Sequence, residues 1–334
     1  STPQMPASLL SVHPMSDAGL SERDVSIVTA AKIIANTDEM DRPEWLDLRR
    51  SGIGGSDVAA VLGISPWTSP YTLWLDKTGR TDGSDQSSTR LRAGTFLEPF
   101  VMSETHLLHP ELHIDRAPYM LAHPDHRELF VDVDGLAVSN DRRARGGWEG
   151  KTTEITMAHH WADGVPAFYE TQVFHSLGIT GFDWWLVSVM IGFGRIETYV
   201  VERDDEIIEQ LTAAEVAWWQ RHVIEGVEPE ADGSNATTAA LSLIRARAGE
   251  CITLSEVETV DVDDVLRQLA HDLAVKDQAE ASEKTIKNQL RQRLGEATEL
   301  VGADGKTRAT WREAKNGSRP LRTAPGLALV KAGN

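Results

Sequence analysis

Two strands joined through an acidic turn constrain this chain more than any other feature. They lie within Phe130 to Thr153, where an apolar segment ends near Asp134 and a second segment contains Glu149 and Lys151. Side chains two residues apart on a strand point the same way, so Glu149 and Lys151 are predicted to share a face. Paired carboxylates suit a hard divalent cation, and a metal beside a lysine suits phosphodiester hydrolysis. A solvated strand edge is the alternative interpretation of this pattern alone.

A glycine-rich turn that opens onto a helix is the second informative segment. Three glycines within positions 52–55 precede the apolar run Val58 to Leu62, with Ser56 or Asp57 as the predicted cap. A helix start presents unpaired amides and a positive dipole end, which suits a phosphate, and Arg49 adds a bidentate donor. No Gly-Lys-Ser/Thr follows the glycines, so a nucleotide P-loop is excluded. An ordinary capped helix remains the alternative.

Five motifs in order resemble the YqaJ-type viral recombinases, which are relatives of the phage lambda-type alkaline exonucleases in the PD-(D/E)xK nuclease superfamily. The motifs are LRRSGIGGSDVAAVLG (Leu48 to Gly63), GTFLEP (Gly94 to Pro99), VDVDG (Val131 to Gly135), EGK (Glu149 to Lys151) and YETQVF (Tyr169 to Phe174). The resemblance spans about Trp45 to about Glu225. It implies a magnesium-dependent nuclease, with Mn²⁺ as a substitute, that digests one strand of linear duplex DNA from the 5′ end. It also implies a single-strand annealing protein as partner, and a homo-oligomeric ring around the DNA.

The resemblance further implies the residues of the metal site. Asp134 and Glu149 match the metal carboxylates of the family, and Lys151 matches its catalytic lysine. Glu98 matches the acidic residue that completes the metal site. Pro99 follows it directly, which predicts a helix start or a kink at this position.

Two further pairs of residues match supporting parts of the family's site. Tyr169 and Gln172 match a helix motif that lies against the active site, while Arg49 and Ser56 match the pocket for a terminal 5′-phosphate. This chain departs from the lambda-type enzymes after the EGK motif, because residues 152–161 contain no arginine. Candidates to replace it in the phosphate pocket are His159, His160 and Arg142.

The predicted fold is α/β, a PD-(D/E)xK core with a mixed central sheet flanked by helices. Residues 1–40 are predicted as a lead-in segment with a helix over 21–36, and residues 41–228 as the nuclease domain. Residues 229–334 are predicted as an accessory region with a long helix or helix pair, a β-hairpin and a basic tail. Four tryptophans at positions 184, 185, 218 and 219 are interpreted as core residues rather than base-stacking platforms.

The charge balance argues against a simple DNA-coating protein. Among 334 residues, 51 acidic side chains face 33 basic ones, for a net charge of −18. The exception is the segment from Leu300 onward, which is rich in Lys and Arg and is predicted to contact DNA. Cys251 is the single cysteine, which excludes an internal disulfide and a four-cysteine iron–sulfur site. The sequence shows no apolar run that would span a membrane, so a cytoplasmic, phage- or prophage-encoded enzyme is expected.

Two other functions remain open at this point. A PD-(D/E)xK endonuclease of restriction or repair type would use the same metal site. A non-catalytic recombination scaffold would keep the fold and bind the annealing protein, although the intact Asp134, Glu149 and Lys151 speak against it.

Overall fold

Residues 25, 29–80, 89–139, 145–242, 251–314 and 317–324 are described in this computed structural model of the chain. The chain divides into two units, Ser1–Arg245 and Ala246–Asn334. The strands of the first unit are β1 (Lys32–Asn36), β2 (Ile53–Gly54), β3 (Leu112–Arg116), β4 (Tyr119–Ala122), β5 (Leu129–Asp132), β6 (Gly135–Ser139), β7 (Arg145–Thr153), β8 (Trp184–Ile191) and β9 (Arg195–Glu202). Its α-helices, over the described residues, are α1 (Arg42–Arg50), α2 (Val58–Val61), α3 (Pro70–Lys77), α4 (Thr89–Leu108), α5 (Ala167–Thr180), α6 (Asp205–Trp218) and α7 (Asn235–Ser242).

A five-stranded sheet carries the EGK motif. Its order is β3-β6-β7-β8-β9, with β7 and β8 parallel and the other neighbours antiparallel. β8 is apolar and buried along nearly its whole length, as expected of a strand covered on both faces. β7 requires glycine where it lies against β8, because a Cβ at Gly147 would lie 2.3 Å from the ring of Trp185. The predicted mixed α/β architecture is confirmed.

A second sheet has the order β1-β4-β5-β2, so the predicted single central sheet is in fact two sheets. β2 runs parallel to β5, whereas β1 pairs antiparallel with β4. The predicted lead-in helix over 21–36 is therefore wrong for Lys32–Asn36. Ile33 and Ile34 are β-branched, and their pairing with a neighbouring strand overrides the local helical pattern. Most of the remaining lead-in segment lies outside the described residues.

Two helices bring chemistry-bearing residues to the sheets. α1 begins with a capping box, in which Asp41 Oδ1 accepts from Glu44 N at 2.9 Å and Glu44 Oε2 accepts from Asp41 N at 3.1 Å. Pro99 does not start a helix, because it lies inside α4, which runs continuously through it. Its ring nitrogen has no hydrogen to donate to the carbonyl of Thr95, four residues earlier.

Large aromatic side chains fill the core of the first unit. Trp148 and Trp185 are fully buried, and Trp218 is nearly so. The interpretation of the 184–185 and 218–219 pairs as core or half-buried residues is therefore confirmed. α6 continues as a π-helical turn, Trp219–Ile224.

The second unit contains one long helix and a small sheet. The predicted long helix or helix pair is a single helix, α8 (Glu256–Leu294), which Ser255 caps at its start. The predicted hairpin is present as β10 (Glu299–Val301) and β11 (Thr307–Trp311), and β12 (Leu321–Thr323) adds a third antiparallel strand. Part of the basic tail is paired locally, since Arg308 lies 2.7 Å from Asp304 and Arg312 lies 3.0 Å from Glu299.

The boundary between the units falls after Arg245 rather than at the predicted position 228. α7 belongs to the first unit because Thr237 Oγ1 donates to Ser69 Oγ, at the start of α3, at 2.5 Å. Across the described ranges, no helix has the length and apolar character that crossing a membrane requires.

Candidate active site

Glu149 and Lys151 lie on one face of β7, as their spacing predicts. Glu149 is 3% exposed, and its Oε1 accepts a short hydrogen bond from Lys151 Nζ. Gln172 on α5 joins both groups, since its Nε2 donates to Glu149 Oε1 at 2.7 Å and its Oε1 accepts from Lys151 Nζ at 3.3 Å. The structure thus brings three sequence-predicted residues together from a strand and a helix.

Asp134 approaches this group from the turn between β5 and β6. Its Oδ2 accepts from Gly150 N, the residue between Glu149 and Lys151, at 2.9 Å. This hydrogen bond ties the carboxylate to the backbone of β7, so the two strands that carry the motif also set the separation of its acids. The predicted association of Asp134 with Glu149 is therefore present in the fold.

Glu98 on α4 completes the acidic group electrostatically. Burial and the neighbouring charge of Glu149 raise the pKa of Glu98 from 4.5 to about 7. Burial, Glu149 and Glu98 also raise the pKa of Asp134 well above its usual range. Like charges in a buried site disfavour joint ionisation. Burial and mutual repulsion therefore keep protons on these carboxyls to a higher pH than usual.

Lys151 remains a cation in this environment. Burial alone would lower its pKa, but the carboxylates of Glu149 and Asp134 outweigh burial and raise the pKa above its ordinary value. The Tyr169 ring lies beside the ammonium, with Nζ 5.0 Å from the ring centroid. Tyr169 therefore contacts Lys151 through a cation–π interaction.

The oxygen donors of Glu98, Asp134 and Glu149 are the kind that Mg²⁺ and Mn²⁺ prefer. Within the described residues, no three His, Cys, Asp or Glu side chains are gathered closely enough to hold an ion as they stand. Instead, Lys151 Nζ donates a hydrogen bond to a Glu149 oxygen, and Gly150 N donates one to an Asp134 oxygen. A bound cation would favour the ionised forms of Glu98 and Asp134, which burial and mutual repulsion now disfavour, so the donor set fits a hard divalent ion.

A fourth carboxylate, Asp132, belongs to the same region and was not among the predicted residues. Its Oδ2 accepts from Trp45 Nε1 at 3.0 Å. Burial raises its pKa, with Glu149 adding to the effect, while the Trp45 bond and the Arg49 charge oppose it. The spacing of two between Asp132 and Asp134 is the same signal that joined Glu149 to Lys151, and could have identified it.

The predicted phosphate pocket is a network around Asp57. Arg49 Nη2 donates to Ser56 Oγ at 2.7 Å and to Asp57 Oδ1 at 3.1 Å. Lys77, whose side chain is 1% exposed, donates to Asp57 Oδ2 at 2.7 Å. Burial would raise the pKa of Asp57, but the charges of Lys77 and Arg49 lower it to about 2. Lys77 had no local sequence signal, because it is twenty residues away from its partner.

The helix start in this pocket differs from the prediction. Asp57 directly precedes α2, yet its side chain makes no cap bond and instead accepts from Gly54 N at 3.0 Å. α2 is also only four residues long, so its dipole is small. Two cations around one carboxylate, rather than a helix dipole, give this pocket its positive character.

The glycine turn also contacts the candidate active site. A Cβ at Gly55 would lie 3.0 Å from Gln172 Cγ, so the turn packs directly on the side chain that joins Glu149 to Lys151. His160, one proposed substitute in the phosphate pocket, instead lies near Phe168 with ring centroids 6.3 Å apart. Among the described residues, neither it nor His159 forms a hydrogen bond with Arg49 or Ser56. The third substitute, Arg142, lies outside the described residues.

Comparison with known proteins places the chain in a family. Residues 44–183 match the family model described as a YqaJ-like viral recombinase domain. The uncharacterized protein YqaJ of Bacillus subtilis (strain 168) is 31% identical over 289 residues, which are 84% of this chain and 86% of that protein. The chain belongs to the YqaJ family. The resemblance found in the sequence motifs is thereby confirmed.

Solved structures similar to this YqaJ-family chain include two nucleases. The alkaline exonuclease LHK-Exo from Laribacter hongkongensis is 20% identical, with a TM-score of 0.47 over 55% of this chain and 93% of that one. A phage-related exonuclease from Haemophilus somnus 129PT is 12% identical, with a TM-score of 0.38 over 55% of this chain and 100% of that one.

Proposed function

We propose that this protein is a magnesium-dependent exonuclease that digests one strand of linear duplex DNA from 5′ to 3′, with Mn²⁺ able to replace Mg²⁺. The observation that carries the proposal is the contact of Glu149 with the ammonium of Lys151, with Asp134 held on the amide of Gly150 between them. Burial and like charge also raise the pKa of Asp134 and of Glu98. Such a site offers carboxylate oxygens to a divalent ion and an ammonium to an anionic substrate. Membership of a family described by its recombinase domain supports DNA as the substrate.

Asp134, Glu149 and Glu98 would hold the ion. When bound, Mg²⁺ supplies Lewis acidity toward a phosphoryl oxygen and lowers the pKa of water. Asp134 is oriented for this role by the amide of Gly150, and Glu149 by the amide of Gln172. These hydrogen bonds fix the carboxylates before any ligand arrives, which is the preorganisation that charge stabilisation requires.

Lys151 acts as a fixed cation rather than as a base. Its raised pKa keeps the ammonium protonated at neutral pH, so Nζ has protons to donate but no lone pair to accept one. It therefore steadies the attacking water or the negative charge that develops on the phosphate. Gln172 and Tyr169 hold the ammonium in place through its hydrogen bond and its ring contact.

The direction of digestion is proposed to come from the pocket around Arg49. Both hydrogen bonds that the structure shows for the Arg49 side chain leave from Nη2, and a guanidinium has five N–H donors in all. With Lys77, the pocket places two cations around the carboxylate of Asp57. A terminal 5′-phosphate would balance this charge and anchor the strand end beside the metal site.

Incubation with linear and closed circular duplex DNA, in Mg²⁺ or EDTA, tests the activity. We expect mononucleotides released from the 5′ end of linear DNA, only in Mg²⁺, and intact circles. Cutting of closed circles would replace this proposal with the endonuclease, and DNA binding without any cleavage would replace it with the scaffold.

A variant pair tests the direction. Arg49→Ala should slow digestion of 5′-phosphorylated duplex far more than of 5′-hydroxyl duplex, because only the former fills the pocket. Arg50→Ala is the matched control, since the next residue of α1 pairs with Asp47 and Asp76 instead. Equal slowing on both substrates, or release from the 3′ end, would contradict the pocket.

The partners implied by the resemblance belong to the same proposal. They are a single-strand annealing protein, which would coat the exposed strand, and further copies of this chain arranged as a ring. Light scattering of the purified protein with and without linear duplex measures the assembly, and a monomer under both conditions would contradict the ring.

A further inference from the structure

Trp67 is a half-exposed tryptophan at the edge of the candidate active site. Its side chain belongs to a loop between α2 and α3, and the residue is 53% exposed. The ring lies edge-on against Phe168 with centroids 5.1 Å apart, and tilted against Tyr169 at 5.7 Å. One side of the indole is thus held by two aromatic rings of α5, while much of its surface faces solvent.

The loop that carries Trp67 is ordered by its own hydrogen bonds. Ser65 Oγ accepts from Trp67 N and from Thr68 N, both at 3.2 Å. Ser69 then caps α3 by accepting from Thr72 N at 3.1 Å. The indole is therefore positioned by a local turn and a helix start, so its exposure does not result from a frayed segment.

The aromatic cluster connects Trp67 to the catalytic lysine. Tyr169 touches Trp67 on one side and lies 5.0 Å from Lys151 Nζ on the other. A single side chain therefore separates the exposed indole from the ammonium proposed to face the cleaved phosphate. A nucleotide has a matching arrangement, because one sugar separates its flat base from its phosphate. The base would correspond to the indole and the phosphate to the ammonium.

We propose that Trp67, supported by Phe168, is a stacking subsite for a nucleobase of the strand being digested, next to the phosphate at Lys151. This inference rests on the proposed nuclease function and adds a substrate-binding residue to it. Base–aromatic stacking accepts any base, because every base has a π face. The subsite would hold the strand in place at each step without imposing sequence preference. The alternative is a purely structural role, in which Trp67 only packs over Phe168 and Tyr169.

Binding of modified duplexes tests the subsite. The probes are 5′-phosphorylated duplexes in which one of the first four nucleotides of the 5′ strand is abasic, and affinity is measured by fluorescence anisotropy in EDTA. Trp67→Ala should weaken binding of the unmodified duplex by roughly five- to 150-fold, the range of one base–aromatic stack. At one abasic position the wild type should lose a similar factor, and Trp67→Ala should lose nothing more.

Three other variants separate stacking from structure. Trp67→Phe should retain most of the affinity because it keeps an aromatic face, whereas Trp67→Leu should lose it although it remains apolar. Ile224→Ala removes a comparably exposed apolar side chain outside the cluster and should leave binding unchanged. Circular dichroism of each variant checks that the fold is retained.

The outcomes that overturn the subsite differ from those that overturn the activity. A loss in Trp67→Ala that is equal at every abasic position, no loss at all, or equal binding by the Phe and Leu variants would reject stacking. If the wild type still digests linear duplex in Mg²⁺, the nuclease proposal survives such a result. A wild type that neither binds nor digests DNA would overturn both.

Discussion

Replacing Glu98 with Gln should stabilise the metal-free protein above pH 7 while removing metal-dependent cleavage. The folded-state pKa of Glu98 is about 7, above its ordinary value of 4.5, because burial and Glu149 disfavour its charge. A raised carboxyl pKa means that the folded state binds the proton more tightly than the unfolded state does. Stability therefore falls as pH rises from 4.5 to 7, and the full penalty is present above pH 7.

The pKa of Glu98 rises from 4.5 to about 7. At about 1.36 kcal/mol for each pKa unit, this rise corresponds to a loss of roughly 3 kcal/mol of unfolding free energy when Glu98 is ionised. The value is an upper limit, since Glu98 is only partly buried. Glutamine keeps the shape and removes the charge. Glu98→Gln should therefore gain up to about 3 kcal/mol of unfolding free energy at pH 8 and almost nothing at pH 4.

Urea denaturation in EDTA at pH 4 and pH 8 measures this difference. Glu104→Gln is the matched control, because it is the same substitution in the same helix, α4. Adding Mg²⁺ at pH 8 should stabilise the wild type through binding to the folded state, and should stabilise Glu98→Gln less. A Glu98→Gln protein that is no more stable than the wild type at pH 8 would refute the reasoning, as would equal gains in both variants.

Three other substitutions test separate parts of the first unit. Lys151→Ala should remove most cleavage but spare stabilisation by Mg²⁺, because the ammonium is not a metal ligand; a near-normal rate would contradict its role. Burial lowers the pKa of His175, but the nearby Glu215 carboxylate outweighs burial and raises it. The contact between the two side chains therefore stabilises the fold fully below pH 6.5, and this stabilisation is lost as pH rises through the raised pKa. Glu215→Gln should therefore lower stability by about 3 kcal/mol at pH 6, and denaturation should show a smaller decline than in the wild type as pH rises through the raised pKa of His175. Gly147→Ala should lower the thermal midpoint, because overpacking against Trp185 costs about 1–3 kcal/mol of unfolding free energy. An unchanged midpoint would show that the sheet can relax at this position.

Local sequence patterns predicted the elements whose signals lie within a few residues. Alternation placed Glu149 and Lys151 on one face, and the hairpin predicted in the accessory region is present as β10 and β11. Pairing between distant segments was not predictable in this way. β1 was predicted as helix because its partner, β4, lies more than eighty residues later in the chain.

The same limit applies to the candidate site. The motifs named Arg49 and Ser56 as neighbours in a pocket, and they are hydrogen bonded. No local pattern could show that Asp57 would be neutralised by Lys77 from the end of α3. The sequence likewise did not identify Trp67 as a candidate site residue, because its exposure depends on how the α2–α3 loop packs against α5.

A buried tryptophan fixes the geometry of the acidic group. Trp148 lies directly before Glu149, pairs in register with Gly135 of β6, and donates from Nε1 to Ser188 Oγ of β8 at 3.0 Å. Asp134 precedes Gly135, so this register is what places its carboxylate on the amide of Gly150. A slip of one residue would turn every side chain of β7 to the opposite face. Glu149 and Lys151 would then point away from Gln172, and Trp148 would take their place. The apolar face of β7 thus determines where its charged face meets the other carboxylates, which makes a core residue essential to the site without touching it.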